Sequence, residues 1–327
     1  MNDRALRFLI VRLGSLGDVV HAIPAVVALI NRHPEARVDW IVDPRYVDLV
    51  KSVDRIGNVI PCDTREGWGP LIGTARRLRG ERYDAAIDLQ GLLKSAVLAR
   101  VAGARRIIGF DRAHLREPLA RLLYTETHDP GDAVHVIHKG LALMRALDVH
   151  ETTARFTIGI PPRVRPGGYV LINPSAAWPN KRWPAERFGA LAAAIHERHR
   201  LTSMVLWGPG EEALADAVVA ASNGAAKAAP PTSIIDIVAL ARGADLMISG
   251  DTGPMHIAGA VGTPIVALFG PTRAERNGPW SPADISISRF DQCACHYERR
   301  CRRTQPCIDD ISVDEVLAAV ERRVAAR

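Results

Sequence analysis

The chain has 327 residues and a formal net charge of +6, with 47% hydrophobic and 24% charged residues. That length accommodates two α/β domains of ordinary size. The positive charge favours anionic partners, but only 5% of the residues are aromatic and the arginines are dispersed, so we expect no nucleic-acid-binding surface. The apolar run at residues 8–11 is too short for a signal peptide or a membrane span. We therefore expect a cytoplasmic protein with an anionic small molecule, or an anionic acceptor at a membrane surface, as its partner.

The first half of the chain alternates short apolar runs with helical patterns. Residues 6–13 predict a strand, and the loop GSLGD that ends at Asp18 opens a helix placed at 19–31. The loop lacks the third glycine of the dinucleotide-binding fingerprint. Further strands are predicted at 38–42, 59–60, 85–88 and 106–109, and further helices at 44–51, 71–79, 92–102 and 134–147. The alternation is typical of a doubly wound parallel sheet, at whose carboxyl edge Asp18 is either a binding residue or an ordinary N-cap.

The second half repeats this alternation after residues 157–168, a stretch rich in proline and glycine that predicts a linker. Strands are predicted at 169–173, 204–207, 246–248 and 264–269. Lys181, in the polar loop 173–184, is either a cation for a phosphate or a solvent-exposed loop lysine. The segment GPGEE at 208–212 opens a helix with a carboxylate that can accept ribose hydroxyls or simply favour the helix dipole.

The most informative stretch is 246–272, LMISGDTGPMHIAGAVGTPIVALFGPT, which predicts a strand, a glycine-containing loop, a helix and a second strand. Pro254 suits the first turn of that helix, whose free N–H groups and partial positive charge suit a phosphate or diphosphate. Thr252 adds a hydroxyl and His256 an imidazole. A carboxylate is better suited to sugar hydroxyls, so Asp251 is predicted to bind a sugar, unless Asp251 or Thr252 only caps the helix.

Four of the five cysteines fall within fifteen residues near the end of the chain, in the spacing C-x-C-x5-C-x5-C. They are Cys293, Cys295, Cys301 and Cys307. This clustering predicts a structural metal site that holds zinc or iron, with reduced free thiols as the alternative, and a cytoplasmic setting disfavours disulfides. Ser312 and Glu315 are then predicted to form a capping box before an amphipathic helix.

Together these stretches resemble the lipopolysaccharide heptosyltransferases of glycosyltransferase family nine. The matching segments are RLGSLGDVVHAIPAV near the start, YDAAIDLQGLLKSA from Tyr83, KRWP from Lys181 and SGDTGPMHIAGAVGTPIVALFGPT from Ser249. The segment REPLA from Arg116 is similar to the heptosyltransferase I type in particular. The resemblance covers nearly the whole chain. The region 62–79 lacks the basic cluster of that type, and the cysteine-rich insert has no counterpart there.

The resemblance implies a GT-B fold, with two doubly wound Rossmann-like domains facing across a cleft. We expect an acceptor-binding domain at 1–160, a nucleotide-sugar-binding domain at 161–310, and a final helix at 311–327 that packs back on the first domain. Asp18 takes the role of the general base. The residues implied for the donor are Ser175, Lys181, Glu211 (or Glu212), Asp251, Thr252, Gly253, Pro254 and His256. Those implied for the acceptor are Gly17, Gln90, Lys94 and Arg116, with a structural ion pair as the alternative role of Arg116.

The expected activity is inverting transfer of a heptose from ADP-heptose to an acidic, Kdo-type sugar of a lipid-linked core acceptor at the inner membrane surface. Lys181 and the helix that begins near Pro254 would stabilise the ADP leaving group without a catalytic metal. Peripheral association with the inner face of the cytoplasmic membrane is a further expectation. Two alternatives stay open: a nucleotide-sugar epimerase of similar fold, and a non-catalytic sugar-nucleotide-binding module.

Overall fold

The computed structural model describes residues 5–67, 69–78, 80–161 and 168–326. The chain divides into two compact units, Met1–Gly159 and Ile160–Arg327. The end of the predicted helix 71–79 and most of the predicted linker, at 162–167, lie outside the described residues. Within the described residues, no helix combines the length and the apolar character needed to cross a membrane.

The first unit contains a parallel sheet in the order β3-β2-β1-β4-β5-β6. Its strands are β1 (Arg7–Val11), β2 (Arg37–Val42), β3 (Val59–Pro61), β4 (Ala85–Asp88), β5 (Arg106–Phe110) and β6 (Glu126–His128). Its helices are α1 (Leu16–Arg32), α2 (Val47–Lys51), α3 (Gly69–Leu78), α4 (Leu93–Val101) and α5 (Val136–Leu143). The continuous apolar run of β1 is buried because both faces of a parallel sheet are covered.

The second unit repeats this design in the order β12-β11-β10-β7-β8-β9, again with every described pair parallel. Its strands are β7 (Tyr169–Asn173), β8 (Thr202–Val205), β9 (Ala226–Ala228), β10 (Leu246–Gly250), β11 (Ile265–Phe269) and β12 (Ile285–Ser288). Its helices are α6 (Ala185–His199), α7 (Glu212–Ala220), α8 (Ile234–Gly243), α9 (Gly253–Ala260), α10 (Ala274–Asn277) and α11 (Val313–Ala325).

In both sheets, successive strands are added first on one side and then on the other. The change of side falls between β1 and β4 in the first unit and between β7 and β10 in the second. Such a switch point leaves a crevice at the carboxyl ends of the strands, where open α/β sheets bind ligands. The loops that follow β1, β4, β7 and β10 carry most of the residues predicted to bind ligands. The predicted pair of doubly wound parallel sheets is thereby confirmed.

The last helix, α11, begins after Ser312, whose hydroxyl accepts a hydrogen bond from the backbone N–H of Glu315. It buries Val316, Leu317 and Val320 against the core of the second unit. The sequence-based expectation sets this helix against the first domain. The packing that the structure describes is with α6 and β11 of the second unit.

The differences from the predicted elements are mostly at edges and ends, but helix α8 is also absent from the predicted elements. The edge strands β6, β9 and β12 have three or four residues each, too short for an alternating pattern to be recognised. Helix α1 begins three residues before its predicted start because Ser15, not Asp18, is its N-cap. The predicted helix 134–147 is shorter, and its end is the 3₁₀ turn Met144–Leu147.

Candidate functional site

In the first unit, the side chain of Asp18 lies in the first turn of α1, three residues after the N-cap. Its Oδ2 accepts hydrogen bonds from the backbone N–H and the hydroxyl of Ser15, at 2.9 and 3.1 Å, and its Oδ1 lies 2.6 Å from the guanidinium of Arg12. The side chain nevertheless stays 40% exposed. Asp18 is therefore a fixed and accessible carboxylate just beyond the carboxyl end of β1. The N-cap interpretation is wrong, because Ser15 is the N-cap of α1 and Asp18 lies three residues later.

The residues predicted to bind the acceptor follow different strands of the same edge. Gly17 is buried in the first turn of α1. The side-chain oxygen of Gln90, after β4, accepts from the backbone N–H of Leu13 at 2.7 Å, so it braces the loop that leads to Asp18. The ammonium of Lys94 donates to the backbone oxygen of Thr64 at 2.8 Å. The side chains of Gln90 and Lys94 therefore stabilise the loops of the protein in addition to any contact with a ligand.

Arg116 follows β5 in the segment between two 3₁₀ turns, Arg112–His114 and Pro118–Leu123. It is exposed, and among the described residues no hydrogen bond or ion pair engages its guanidinium. The interpretation of Arg116 as a structural ion-pair partner has no support in these contacts. Its guanidinium is free to bind an anion.

A buried carboxylate that the sequence analysis does not single out shapes this edge. Asp88, at the end of β4, accepts from the hydroxyls of Tyr124 and Ser95 at 2.7 and 2.8 Å and from the N–H of Gln90 at 2.9 Å. Burial raises the pKa of Asp88, and these hydrogen bonds oppose that rise. Asp88 holds the β4–α4 loop, and with it Gln90 and Lys94, in place.

In the second unit, Asp251 is the centre of a buried polar network directly after β10. Its Oδ2 accepts from the ammonium of Lys181 at 2.6 Å and from the hydroxyl of Thr272 at 2.7 Å. Its Oδ1 accepts from the side-chain amide of Asn277 at 2.5 Å and lies 3.5 Å from Nε2 of His256. The side chain is only 6% exposed. A carboxylate has about four acceptor positions, and these four groups occupy them.

The charge of Asp251 follows from these neighbours. Burial by itself would raise its pKa, but the hydrogen bond from His256 and the positive charge of Lys181 hold the pKa of Asp251 well below its usual range. Asp251 is therefore an anion under all ordinary conditions. It stabilises two basic side chains in a place where they would otherwise be costly to bury.

Lys181 reaches Asp251 from the 3₁₀ turn Pro179–Lys181 that precedes α6. Its ammonium nitrogen also lies 4.5 Å from the centre of the Trp178 ring, within cation–π distance. The side chain is only 13% exposed, which excludes the interpretation of a solvent-exposed loop lysine. Gly250 permits the approach of this turn, since a Cβ there would lie 3.0 Å from the backbone oxygen of Lys181.

The N-terminus of α9 lies beside this network. Thr252 occupies the N-cap position, but its side chain makes no capping hydrogen bond. Its hydroxyl instead contacts the amide nitrogen of Asn173 at 2.9 Å and the hydroxyl of Ser249 at 3.0 Å. Gly253 and Pro254 form the first turn. The N-terminus of α9 therefore keeps its partial positive charge without a capping side chain, as an anion site requires.

Ser175 and Glu211 form a second polar group at the same edge. The hydroxyl of Ser175 donates to Oε1 of Glu211, and the N–H of Gly208 donates to Oε2 at 2.9 Å. Asn173 joins this group to the N-terminus of α9, because its amide nitrogen contacts the backbone oxygen of Ser175 at 3.1 Å and the hydroxyl of Thr252 at 2.9 Å. Glu212, the alternative to Glu211, is exposed in the first turn of α7.

The four clustered cysteines lie close together as two pairs, Cys295 with Cys301 and Cys293 with Cys307, without a disulfide. The sulfurs of Cys295 and Cys301 are 3.6 Å apart, and the backbone N–H of Arg302 points at the sulfur of Cys295 at 2.9 Å. Burial, together with the neighbouring Cys293, raises the pKa of the Cys307 thiol to about 12. A cation among these thiols would reverse that effect.

Another group of potential ligands lies in the first unit. Asp111, His114 and Asp129 bring one ligand atom each within 4.8 Å of one another after β5 and β6. Asp129 is exposed, and the contact between His114 and Asp111, at 2.7 Å, is an ordinary hydrogen bond. Exposed groups of this kind are common without a metal.

Comparison with known proteins shows which proteins this chain is similar to. The sequence model of glycosyltransferase family 9 (heptosyltransferase) matches residues 72–306. Lipopolysaccharide heptosyltransferase 1 of Pseudomonas aeruginosa is 29% identical over 93% of this chain and 90% of its own length. The glycosyl transferase family 9 structure from Veillonella parvula is 22% identical, with a TM-score of 0.87 over 100% of this chain and 99% of that one. E. coli heptosyltransferase WaaC with ADP-2-deoxy-2-fluoro heptose is 24% identical, with a TM-score of 0.79 over 97% and 99%.

The structure thus brings Lys181, Asp251 and His256 into one cluster and Ser175 and Glu211 into another. It adds residues that sequence reasoning misses, namely Asn173, Trp178, Thr272 and Asn277. Asn173 and Thr272 do carry a signal in the sequence, since each is a polar residue at or just after the end of a predicted strand. Asn277 carries none, because it comes from α10, outside every motif.

Proposed function

This chain belongs to glycosyltransferase family 9, and we propose that it transfers a heptose from ADP-heptose to an acidic, Kdo-type sugar of a lipopolysaccharide core acceptor. The observation that carries the proposal is the buried cluster of Asp251, Lys181 and His256 beside the uncapped N-terminus of α9. Cations and helix N–H groups suit a diphosphate. A heptosyltransferase of the same fold binds an ADP-heptose analogue. Family membership favours transfer over the epimerase and over a non-catalytic module.

In this proposal, different groups of the protein bind different parts of the donor. Glu211, oriented by Ser175, accepts the ribose hydroxyls. Lys181 and the first turn of α9, with Thr252, Gly253 and Pro254, bind the diphosphate. Asp251 has its acceptor positions occupied by protein groups, so its main role is to hold Lys181 and His256. A sugar hydroxyl reaches Asp251 only by replacing one partner, and Asn277 and Thr272 are the neutral donors that it would replace.

The reaction is a single inverting displacement. Asp18 takes the proton of the attacking acceptor hydroxyl as the bond from its oxygen to the anomeric carbon forms. The bond between that carbon and the β-phosphate oxygen breaks at the same time, and ADP leaves with both bonding electrons. Lys181 and the α9 N-terminus stabilise the charge that develops on ADP, so the proposed step uses no catalytic metal.

The acceptor is proposed to reach the protein from a lipid surface. In the 3₁₀ turn Pro118–Leu123, Leu119 and Leu122 are 65% and 77% exposed, unusual for large apolar side chains. Arg116 precedes the two leucines and Arg121 lies between them, and both arginines are exposed and have no ionic partners among the described residues. Apolar side chains set among cations suit an anionic membrane surface, and Arg116 suits the carboxylate of an acidic sugar. This arrangement supports the proposal that the protein associates peripherally with the inner face of the cytoplasmic membrane.

We also propose that the four cysteines hold a structural zinc or iron ion. In a tetrahedral zinc–thiolate site, with Zn–S bonds of about 2.3 Å, neighbouring sulfurs lie ~3.8 Å apart. The 3.6 Å between Cys295 and Cys301 fits that value, and a backbone N–H directed at a sulfur favours the thiolate form. Four thiolates leave no open coordination position, so the ion would stabilise structure and take no part in transfer.

The test of the donor assignment is thermal unfolding with ADP-heptose, ADP, UDP-sugars and GDP-sugars. A ligand that binds only the folded state raises the midpoint. We expect a shift with the two ADP compounds alone, and formation of a glycosylated product only when a Kdo-containing acceptor is added. A shift with UDP- or GDP-sugars instead, or conversion of the donor to an isomer without acceptor, contradicts the proposal.

A further inference from the structure

The cysteine-rich segment, residues 291–307, contacts both loops that supply partners to Asp251. One is the turn Pro179–Lys181, and the other is the loop 270–272 that follows β11 and ends at Thr272. The amide nitrogen of Asn180 donates to the backbone oxygen of Glu298 at 2.9 Å, and the N–H of Tyr297 donates to the backbone oxygen of Pro271 at 2.9 Å. Two hydrogen bonds therefore tie the segment to the immediate neighbours of Lys181 and Thr272.

The packing around Gly270 shows how closely these parts fit. A Cβ at Gly270 would lie 3.1 Å from the backbone oxygen of Asn180, 3.3 Å from Cβ of Ile308 and 3.5 Å from the sulfur of Cys307. A side chain there would force the three apart. The sulfur of Cys307 and the backbone of the turn that carries Lys181 therefore both pack against Gly270.

Aromatic and cationic side chains add further contacts between the segment and the donor loops. The guanidinium of Arg299 lies 5.9 Å from the ring centre of Trp178, on which Lys181 also packs. The guanidinium of Arg273 lies 4.8 Å from the ring centre of Phe290, which stacks on His296 at 4.0 Å. The cysteine-rich segment has no regular helix or strand of its own before the 3₁₀ turn Cys307–Asp310, so these loop contacts and the groups that join its four cysteines hold its conformation.

We propose that the metal-bound cysteine cluster is a clamp on the donor site: by fixing the segment 291–307, it holds Asn180 and Pro271 so that Lys181 and Thr272 meet Asp251. This inference rests on the proposed metal site and deepens it, since it predicts that the bound metal strengthens the binding of a nucleoside diphosphate. Loss of the metal loosens both loops and weakens donor binding, while Asp18 in the first unit is unaffected.

Two variants separate the clamp from a merely structural metal. Cys295→Ser removes a ligand and should lower the metal content of the protein purified without chelator. Asn180→Ala leaves all four cysteines in place and removes one bridge. We expect both variants to raise the dissociation constant of ADP, measured by calorimetry, by about fivefold or more. This is the lower end of the effect that one coupled site typically has on the affinity of another. Cys62→Ser, which changes the buried cysteine of the first unit, is the matched control and should change neither metal content nor affinity.

Hydrogen exchange tests the clamp without any nucleotide. In the wild type, removal of metal by a chelator should speed amide exchange at 179–182 and 269–273 and leave 16–32 unchanged. The same acceleration at 179–182 is expected in Asn180→Ala with metal bound. Unchanged exchange and unchanged ADP affinity in a folded, metal-free protein would overturn the clamp, as would a wild type that carries neither zinc nor iron. If ADP fails to bind the wild type, the proposed function fails, and the exchange result decides the clamp by itself.

Discussion

The ammonium nitrogen of Lys181 lies 2.6 Å from Oδ2 of Asp251, and 13% and 6% of these side chains are exposed. Neither charge would be tolerated alone in such a place, because the loss of water would not be compensated. An ammonium has three N–H donors, and Asp251 and the ring of Trp178 engage only some of them. The remainder is available to a diphosphate, so the ion pair prepares Lys181 for an anionic ligand before the ligand arrives.

The mutual dependence of Lys181 and Asp251 predicts non-additive effects on stability. Lys181→Met leaves the buried Asp251 carboxylate with fewer partners, and Asp251→Asn leaves the buried Lys181 ammonium without its counter-charge, so each should lower the free energy of unfolding by about 3 kcal/mol. The double variant should lose clearly less than the sum of the two. Urea unfolding of the four proteins measures this coupling. Additivity within about 0.5 kcal/mol would show that the two side chains do not depend on each other.

The depressed pKa of Asp251 predicts how acid affects the fold. Because the folded pKa is below the unfolded value of about 4, the carboxylate's contribution to stability is complete above about pH 4 and is lost as the pH falls through the folded value. Between pH 4 and pH 3 the wild type should lose up to about 1.4 kcal/mol more than Asp251→Asn. Urea unfolding of both proteins at pH 7, 4 and 3 is the measurement, and parallel losses would refute the assignment.

The proposed base predicts a selective loss of turnover. Asp18→Asn keeps the size of the side chain but cannot accept the acceptor's proton, so kcat should fall by about 10²- to 10⁴-fold. The affinity for ADP should not change, because the proposed donor residues belong to the second unit. Ser15→Ala, which removes a hydrogen bond to the same carboxylate, is the control and should reduce kcat far less. A turnover of Asp18→Asn close to that of the wild type would exclude this residue as the base.

The assignment of Glu211 to the ribose predicts discrimination between nucleotides. The wild type should bind ADP about tenfold or more tightly than 2′-deoxy-ADP, since hydrogen bonds to a charged group are the stronger kind. Glu211→Gln should bind the two nucleotides nearly equally, whereas the exposed neighbour changed in Glu212→Gln should behave like the wild type. Calorimetric titration of the three proteins gives these ratios. Retained discrimination in Glu211→Gln would place the ribose elsewhere.

The exposed leucines of the turn Pro118–Leu123 predict lipid binding. Replacement of Leu119 and Leu122 together by serine should reduce co-sedimentation with anionic phosphatidylglycerol vesicles by about tenfold or more, because two apolar side chains no longer enter the interface. Leu6→Ser, which alters an exposed leucine just before the amino end of β1, is the control. Vesicles of neutral phosphatidylcholine should bind all three proteins weakly. Equal binding of the double variant and the wild type would remove this turn from the proposal.

The amino-acid sequence by itself determined the alternation of strands and helices, the two doubly wound sheets and the loops that carry Asp18, Lys181, Glu211 and Asp251. These features are local, since a buried parallel strand is a short apolar run and a loop before a helix is marked by glycine, proline and capping residues. Three of the four edge strands, β6, β9 and β12, escaped prediction because their three or four residues carry too little pattern.

Only the tertiary structure decided what those loops do together. Three of the four partners of Asp251 lie 70, 21 and 26 residues away along the chain, at Lys181, Thr272 and Asn277, and no local pattern links them. Their convergence also changed the interpretation of two residues, since burial excluded a solvent-exposed Lys181 and filled the acceptor positions of Asp251. A parallel sheet brings the carboxyl ends of distant strands to one edge, so side chains far apart in sequence acquire their charge and their hydrogen-bond partners only when the sheet forms.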